Sequence, residues 1–423
     1  MIGFFSGLVA FLAAGLPIGI AMAAVGLIGV WLAGVPVTIV VQRMAFGLDS
    51  YSLIQIPLFL LMGNLMNATG VTNRIYDWCS ALVGHWRAGL AQVNVLGSVV
   101  FSGLSGSALA DAAGMGSIEI RAMVRHGYPP AFSAAITAAS ASLGPVIPPS
   151  IAAVIYAFIA NVSVGRILLA GVIPGILMAA AMMVTIHFRA RTLTYTPMPR
   201  PSAAELGRTT FFALPALLAP VLLMVGLRAG WFTATEVAAV AVIYALALGL
   251  LYRELKLQAI VEACRDSALT TGAIMLIVAG AHAFAWILAR QQIPQQLTAM
   301  VVEAGLQPWQ FLLVVNLAIL LLGMVLDTTG IMILVTPVIV PAAAALGIDL
   351  VHFGMVMIVN LCIGLLHPPV GMALFVVARI AEVPLEKVAW EALPYVGSLL
   401  LVLLLLIFFP QITLILPDLV YGS

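Results

Sequence analysis

Ser140-Ala-Ser-Leu-Gly-Pro-Val-Ile-Pro-Pro149 returns, in skeleton, as Asn360-Leu-Cys-Ile-Gly-Leu-Leu-His-Pro-Pro369. Gly144 and the pair Pro148-Pro149 match Gly364 and Pro368-Pro369, and earlier in the chain Gly103 and Gly127 match Gly323 and Gly347. The displacement is 220 residues at every match, from 103 to 323 as from 149 to 369, without a gap. Helix breakers that recur in two halves of an apolar chain are the pattern of a membrane carrier built from internal repeats around a site at mid-membrane depth.

Composition fixes the class as an all-α polytopic membrane protein. Apolar residues make up 63% of the chain and charged residues 8%, against roughly 25% charged in soluble domains, so a water-facing surface cannot be assembled from it. The net charge of +1 argues against a nucleic-acid partner, which would need clustered Lys and Arg. Cys79, Cys264 and Cys362 are odd in number and far apart, without the spacing of a disulfide framework or zinc site. Met1 leads straight into an apolar segment with no basic leader and no small-residue cleavage site, so the first helix is expected to be retained.

At about 20 apolar residues per span, segments fall near 3–31, 51–70, 131–160, 165–188, 209–228, 232–251, 267–289, 350–378 and 393–416. Residues 90–126 and 308–346 are apolar but interrupted midway, and read as re-entrant helical hairpins. Segments 131–160 and 350–378 read as discontinuous helices. Such irregular backbone is tolerated at membrane depth only where protein or a water-filled cavity satisfies it. Residues 36–48 fit either an interfacial segment or part of a span.

Charge placement orients this drawing. Loop 187–208 carries Arg189, Arg191, Arg200 and Arg208 against Glu205 alone, which puts it in the cytoplasm. Alternation then places 13 of the 17 Lys and Arg inside, leaving Arg43, Arg166, Arg228 and Arg290 outside. Five crossings separate the hairpins, so they enter from opposite faces and the repeat is inverted. The domain division that follows is a first half, 1–188, with hairpin 90–126 and broken helix 131–160; a cytoplasmic linker, 189–208; and a second half, 209–423, with hairpin 308–346 and broken helix 350–378.

Chemistry is expected at the breaks. In the first half these are Ser102 to Asp111 and Ser140 to Ser150; in the second, Asp327-Thr328-Thr329-Gly330 and Asn360 to Pro369. Proline lacks an N–H, so carbonyls at a break lose intrahelical partners and can turn to a cation. Hydroxyl, amide and carbonyl oxygens suit an alkali ion, while half-helix N-termini favour an anion. Each residue also has a structural reading. Ser and Gly in membrane helices commonly permit close packing. Asp111 and Asp327 are carboxylates at bilayer depth, costing at least about 2.5 kcal/mol and usually functional, yet either could cap a helix. Asp327 follows a run, Phe311 to Leu326, read as apolar throughout. His367 could ligate, relay a proton or bond a carbonyl. Thr233-Ala-Thr-Glu236 has the spacing of a capping box, and Arg121 and Arg125 read as cytoplasmic anchors.

No phosphate loop, His-Glu-x-x-His or Gly-x-Ser-x-Gly motif occurs, which removes the usual nucleotide hydrolase and the commonest hydrolases and leaves no enzyme activity to expect. Two buried aspartates admit an intramembrane aspartic protease as a remote alternative. Matched discontinuous hairpins favour gated carriage over a passive channel.

Ile56-Pro-Leu-Phe-Leu-Leu-Met-Gly-Asn-Leu-Met66, Gly106-Ser-Ala-Leu-Ala-Asp111 and Gly144-Pro-Val-Ile-Pro-Pro-Ser150 resemble the large membrane subunit, the DctM-type permease, of tripartite ATP-independent periplasmic (TRAP) transporters. Leu326-Asp-Thr-Thr-Gly330 and His367-Pro-Pro-Val-Gly371 share the likeness, which covers essentially the whole chain. The resemblance implies an elevator-type carrier, like those of the ion transporter superfamily, in the bacterial inner membrane. It would use a sodium gradient to import an organic anion such as a C4-dicarboxylate, keto acid or sialic acid. Implied partners are a small membrane subunit of about four helices, a periplasmic substrate-binding protein and the surrounding membrane lipid. No cofactor is implied beyond Na+ as coupling ion, and the chain, starting at the large subunit's own first helix, carries no fused small subunit. Carried onto these residues, one sodium site lies among Ser105, Ser107, Ser142, Gly144 and Pro145. The second lies among Asp327, Thr328, Thr329, Asn360 and Gly364. Asp111 is a hairpin-tip carboxylate, and Ser102, Ser140, Pro148, Pro149, Ser150, His367, Pro368 and Pro369 face substrate. A related architecture also serves ion-coupled carboxylate transporters that need no binding protein, which is the alternative reading.

Overall fold

The computed structural model describes residues 2–324, 326–367 and 371–422, and every regular element among them is helical. The opening run, expected as one span over 3–31, is two helices, α1 (Ile2–Ala13) and α2 (Ile18–Leu32). Pro17, which has no N–H to donate, stands immediately before α2 and stops α1 from continuing through it. Residues 36–48 form α3 (Thr38–Leu48), about 17 Å long at 1.5 Å per residue and so too short to cross a bilayer alone. A single 3₁₀ turn leads into α4 (Gln55–Ala68), and α5 (Val71–Val83) follows.

The next stretch bends back on itself. α6 (Gly89–Ser105) is followed by α7 (Ala108–Ala113) and α8 (Met115–Arg125), and α8 returns along α6. α9 (Pro130–Ala141) and α10 (Ile151–Ala160) are two parts of the expected broken helix. Pro145 would remove a donor and press its ring on the carbonyl four residues earlier, at Ala141, and that is where α9 ends. α11 (Val164–Ala170) and α12 (Val172–Arg189) make one long apolar segment with a joint at Gly171.

Beyond the linker come α13 (Ala203–Arg228), α14 (Ala234–Tyr252) and α15 (Leu257–Arg290). The capping box at α14 is formed: Thr233 N donates to Glu236 Oε2 at 2.7 Å, and Glu236 N donates to Thr233 Oγ1 at 3.3 Å. α15 begins ten residues before the span expected over 267–289. Its first turns are polar, and Gln258, Glu262 and Arg265 extend the helix beyond the apolar stretch because nothing there breaks it. At 34 residues it is about 51 Å long.

The remaining helices are α16 (Ile293–Glu303), which hydropathy had not marked, α17 (Pro308–Gly323), α18 (Thr328–Ala345), α19 (Leu350–Gly364), α20 (Met372–Ala381), α21 (Leu385–Phe408) and α22 (Gln411–Tyr421). The last two correct a single span expected over 393–416: Phe409 and Pro410 separate them. Seven segments among the described residues have the length and apolarity to cross a bilayer, so the chain is a multi-pass membrane protein. α15 packs along α2, α3 and α4, and α4 also lies against α14. Against this frame sit the bent and broken helices, which hold the buried polar groups.

Candidate functional site

The bend after α6 lies directly on the break between α9 and α10. Gly106 takes a left-handed backbone (φ 62°), which turns the chain out of α6. Ser107 then caps α7, its Oγ accepting from Ala110 N at 3.4 Å, while Ser107 N donates to Ser105 Oγ at 3.5 Å. Gly144, in the break, comes so close that a Cβ there would stand 2.8 Å from Ser107 C and 2.9 Å from Ala108 N. Ser105, Ser107, Ser142, Gly144 and Pro145 are thus brought together. Ser142 Oγ donates to Ala139 O at 2.6 Å. Ser150 caps α10, accepting from Ala153 N at 3.0 Å and donating to the Pro145 carbonyl. The Pro148-Pro149 peptide is cis, and Pro148 and Pro149 line the same break.

The second bend repeats the arrangement with different atoms. Gly323, ending α17, meets Gly364, ending α19: a Cβ on either would be 3.3 Å from the other's Cα. Asp327 caps α18, its Oδ2 accepting from Gly330 N at 2.9 Å, with Thr328 and Thr329 opening the helix behind it. The capping alternative therefore describes Asp327 but not Asp111, because Ser107 holds the α7 cap. His367 follows α19, its N donating to Gly364 O at 3.2 Å. Pro368 and Pro369 lie outside the described residues.

Both bends are tied to the broken helices by buried amides. Ser140 Oγ donates to Asn94 Oδ1 at 2.6 Å, and Asn94 Nδ2 donates to Thr137 Oγ1 at 2.6 Å. Asn360 Nδ2 donates to Asn316 O at 2.6 Å and to Asn316 Oδ1 at 2.7 Å, and Asn316 donates to Leu312 O. The run Phe311 to Leu326 is accordingly not unbroken: Asn316 interrupts it, and a lone Asn in such a run was the signal that hydropathy averaging erased.

Several buried oxygens near these bends accept nothing, Ser102 Oγ, Thr328 Oγ1 and Asn360 Oδ1, and the carboxylate of Asp111, which is 1% exposed, has the Ser98 hydroxyl beside it but no well-formed hydrogen bond. Glu119, also 1% exposed and without hydrogen-bond partners, is a buried acid that the sequence reading passed over. It lies against α6, where a Cβ at Gly97 would stand 2.7 Å from Oε1. A lone acid eight residues beyond Asp111, on the returning arm, was its signal. Oxygens left without donors at low dielectric disfavour the closed structure unless a cation or water serves them.

Two clefts flank α15. One, of about 540 Å³, lies between Asn64 and Asn67 of α4, Ala110 and Gly114 beside the first bend, and Glu262 and Asp266 of α15. The other, of about 370 Å³, lies between Phe46 and Asp49 at the end of α3, Phe158 of α10, His282 of α15 and Pro337 of α18.

Bilayer-length helices framing bent and broken ones that meet at buried polar seams define a multi-pass membrane transport protein. The family described as tripartite ATP-independent periplasmic transporter, DctM component, matches residues 5–412, and the chain belongs to it. It is 41% identical, over its full length and 99% of the relative's, to the sialic acid TRAP transporter large permease protein SiaM of Vibrio cholerae. It is 42% identical to the C4-dicarboxylate TRAP transporter large permease protein DctM of Pseudomonas aeruginosa, over 88% of this chain and 87% of that one. The crystal structure of the Alcanivorax borkumensis YdaH transporter shares the fold, with a TM-score of 0.64 and 15% identity over 88% of this chain and 87% of that one.

Proposed function

We propose that this chain is the large permease of a sodium-driven TRAP transporter that imports an organic carboxylate across a bacterial inner membrane. A periplasmic binding protein delivers the substrate, and a small membrane subunit of about four helices completes the carrier. The substrate class follows the sialic acid and C4-dicarboxylate named for the relatives. The observation that carries the reading is the seam of Ser107 on Gly144, answered by Gly323 on Gly364, with unserved buried oxygens beside both.

Each seam joins a bend to a helix break, so a cation held there adds a lock at the seam itself to the buried amide bonds that tie the same elements further along. In the first site Ser105, Ser107 and Ser142 offer hydroxyls, and Gly144 and Pro145 offer carbonyls. In the second, Asp327, Thr328, Thr329, Asn360 and Gly364 offer oxygen. Asp327 brings a negative charge that a cation neutralises and a substrate carboxylate would not. The N-terminal end of α10, capped by Ser150 rather than by an acid, is the better place for the anion. Ser102, Ser140, Pro148 and Pro149 from the first half, with His367 from the second, are the residues read as facing the substrate.

The halves 1–188 and 209–423, joined by the linker 189–208, are read as an inverted repeat moving in elevator fashion. Helix order supports this: α6, α9 and α10 answer to α17, α19 and α20 at nearly the same 220-residue displacement. The two clefts beside α15 supply surfaces along which bent and broken helices can slide against a frame.

Uptake of labelled sialic acid or C4-dicarboxylate into proteoliposomes, with and without an inward sodium gradient and a binding protein, tests the whole reading. Transport should require both. Sodium-dependent uptake without any binding protein would replace it with the binding-protein-independent carrier, and uptake indifferent to sodium would remove sodium coupling.

A further inference from the structure

We propose that the large cavity beside the linker binds the phosphate headgroup of an anionic phospholipid from the leaflet the linker faces, with the acyl chains lying along α13. The cavity, about 1100 Å³, gathers α5, the end of α8, the linker, the first turns of α13 and Glu254. Four arginines line it, Arg74, Arg125, Arg200 and Arg208, against three carboxylates, Asp77, Glu205 and Glu254. One arginine is already committed. Arg74 pairs with Glu254 at 2.8 Å, donates to Gly70 O at 3.1 Å and sits 3.9 Å from the Tyr252 ring centroid. Arg125, Arg200 and Arg208 form no ion pair among the described residues.

Three uncommitted guanidiniums against Asp77 and Glu205 leave one positive charge in excess, which one phosphodiester balances. Guanidinium is the side chain best matched to phosphate, through its planar set of donors. The choice of a lipid over a dissolved anion comes from what lies below the cavity. Phe212 forms part of its wall, and Phe211 beside it is 72% exposed. Exposed Leu214, Leu218, Val221 and Leu222 continue that apolar strip along α13. α13 is also the least covered of the seven bilayer-length segments, at 28% buried. A basic cavity set over an apolar strip reproduces the two ends of a phospholipid, and basic pockets at a membrane face are known to take such headgroups. This inference does not depend on sodium coupling or on the substrate, so it can fail while the transport reading stands.

The test is native mass spectrometry of the full chain as extracted from membranes, titrated with phosphatidylglycerol or with phosphatidylcholine of the same acyl chains. Wild type should retain phosphatidylglycerol about tenfold better than phosphatidylcholine, and R200Q/R208Q should lose that preference. R125Q, on a different element, should weaken it in the same sense. All three arginines are exposed, so the variants should keep the wild-type unfolding temperature, measured alongside. Equal retention of the two lipids by wild type, or an undiminished preference in R200Q/R208Q, would overturn the proposal. Inorganic phosphate that displaces phosphatidylglycerol at comparable concentration would do so too, by making this a site for dissolved anions.

Discussion

Asn360 donates to Asn316 Oδ1 at 2.7 Å, and the residue 220 places earlier, Ser140, donates to Asn94 Oδ1 at 2.6 Å. Each bond joins the first arm of a bend to the first part of a broken helix, and all four residues are buried. Bend and break are therefore held as one piece well before the seam is reached. Asn316→Leu should remove the Oδ1 acceptor and leave the Asn360 amide only the main-chain carbonyl of residue 316, lowering stability by about 1–3 kcal/mol for the donor left unserved. Unfolding in detergent followed by tryptophan fluorescence would show it. An unchanged midpoint would mean that the pair holds nothing.

Asp327→Asn separates charge from capping. Asn caps a helix about as well as Asp, so the variant should fold with α18 intact. Wild type should unfold at higher temperature in sodium than in potassium at equal ionic strength, the stabilisation reaching about 2.7 kcal/mol at a hundredfold excess of ion over Kd. The variant should lose most of that difference. A sodium effect of undiminished size in Asp327→Asn would take Asp327 out of the cation site.

Gly144→Ala and Gly364→Ala should differ in severity. The added methyl at 144 meets backbone atoms of Ser107 and Ala108 at 2.8–3.0 Å, which no side-chain rotation relieves, whereas the methyl at 364 meets Gly323 Cα at 3.3 Å. Overpacking of this kind costs about 1–3 kcal/mol. Uptake should fall strongly in the first variant and less in the second. The reverse order, measured in proteoliposomes at matched protein density, would show that the first seam is not as tight as drawn.

Arg166→Gln should do little. Arg166 meets Asp418 at 2.5 Å, but both side chains are about a third exposed, and such pairs contribute about 0–1 kcal/mol. Unfolding midpoint and uptake should stay close to wild type. A loss of uptake at unchanged stability would give the pair a part in the transport cycle.

The positions of the breaks were legible because proline and glycine act locally: Pro145 ends α9 at Ala141 whatever surrounds it, and Gly106 can turn where other residues strain. The same local chemistry made the Thr233 and Glu236 box readable. Length was less legible, since hydropathy finds apolar windows and not helices. It merged α1 with α2 and α21 with α22, shortened α15 and missed the amphipathic α16. Partnerships across the fold were not legible at all. Asn94 and Asn316 read as isolated polar residues, and only packing shows what each one holds. Ser140 and Asn360 were picked out at the breaks, but their hydrogen bonds to those amides could not be foreseen.

α15 walls one cleft with Glu262 and Asp266 and the other with Ala281 and His282. Twenty residues of unbroken helix separate Glu262 from His282, a lever arm of about 30 Å. At 3.6 residues per turn those 20 residues also carry His282 to nearly the opposite side of the helix from Glu262, so the two clefts are reached from different faces of one element. One helix therefore forms a wall of both clefts, and any displacement of α15 as a body reshapes the two at once.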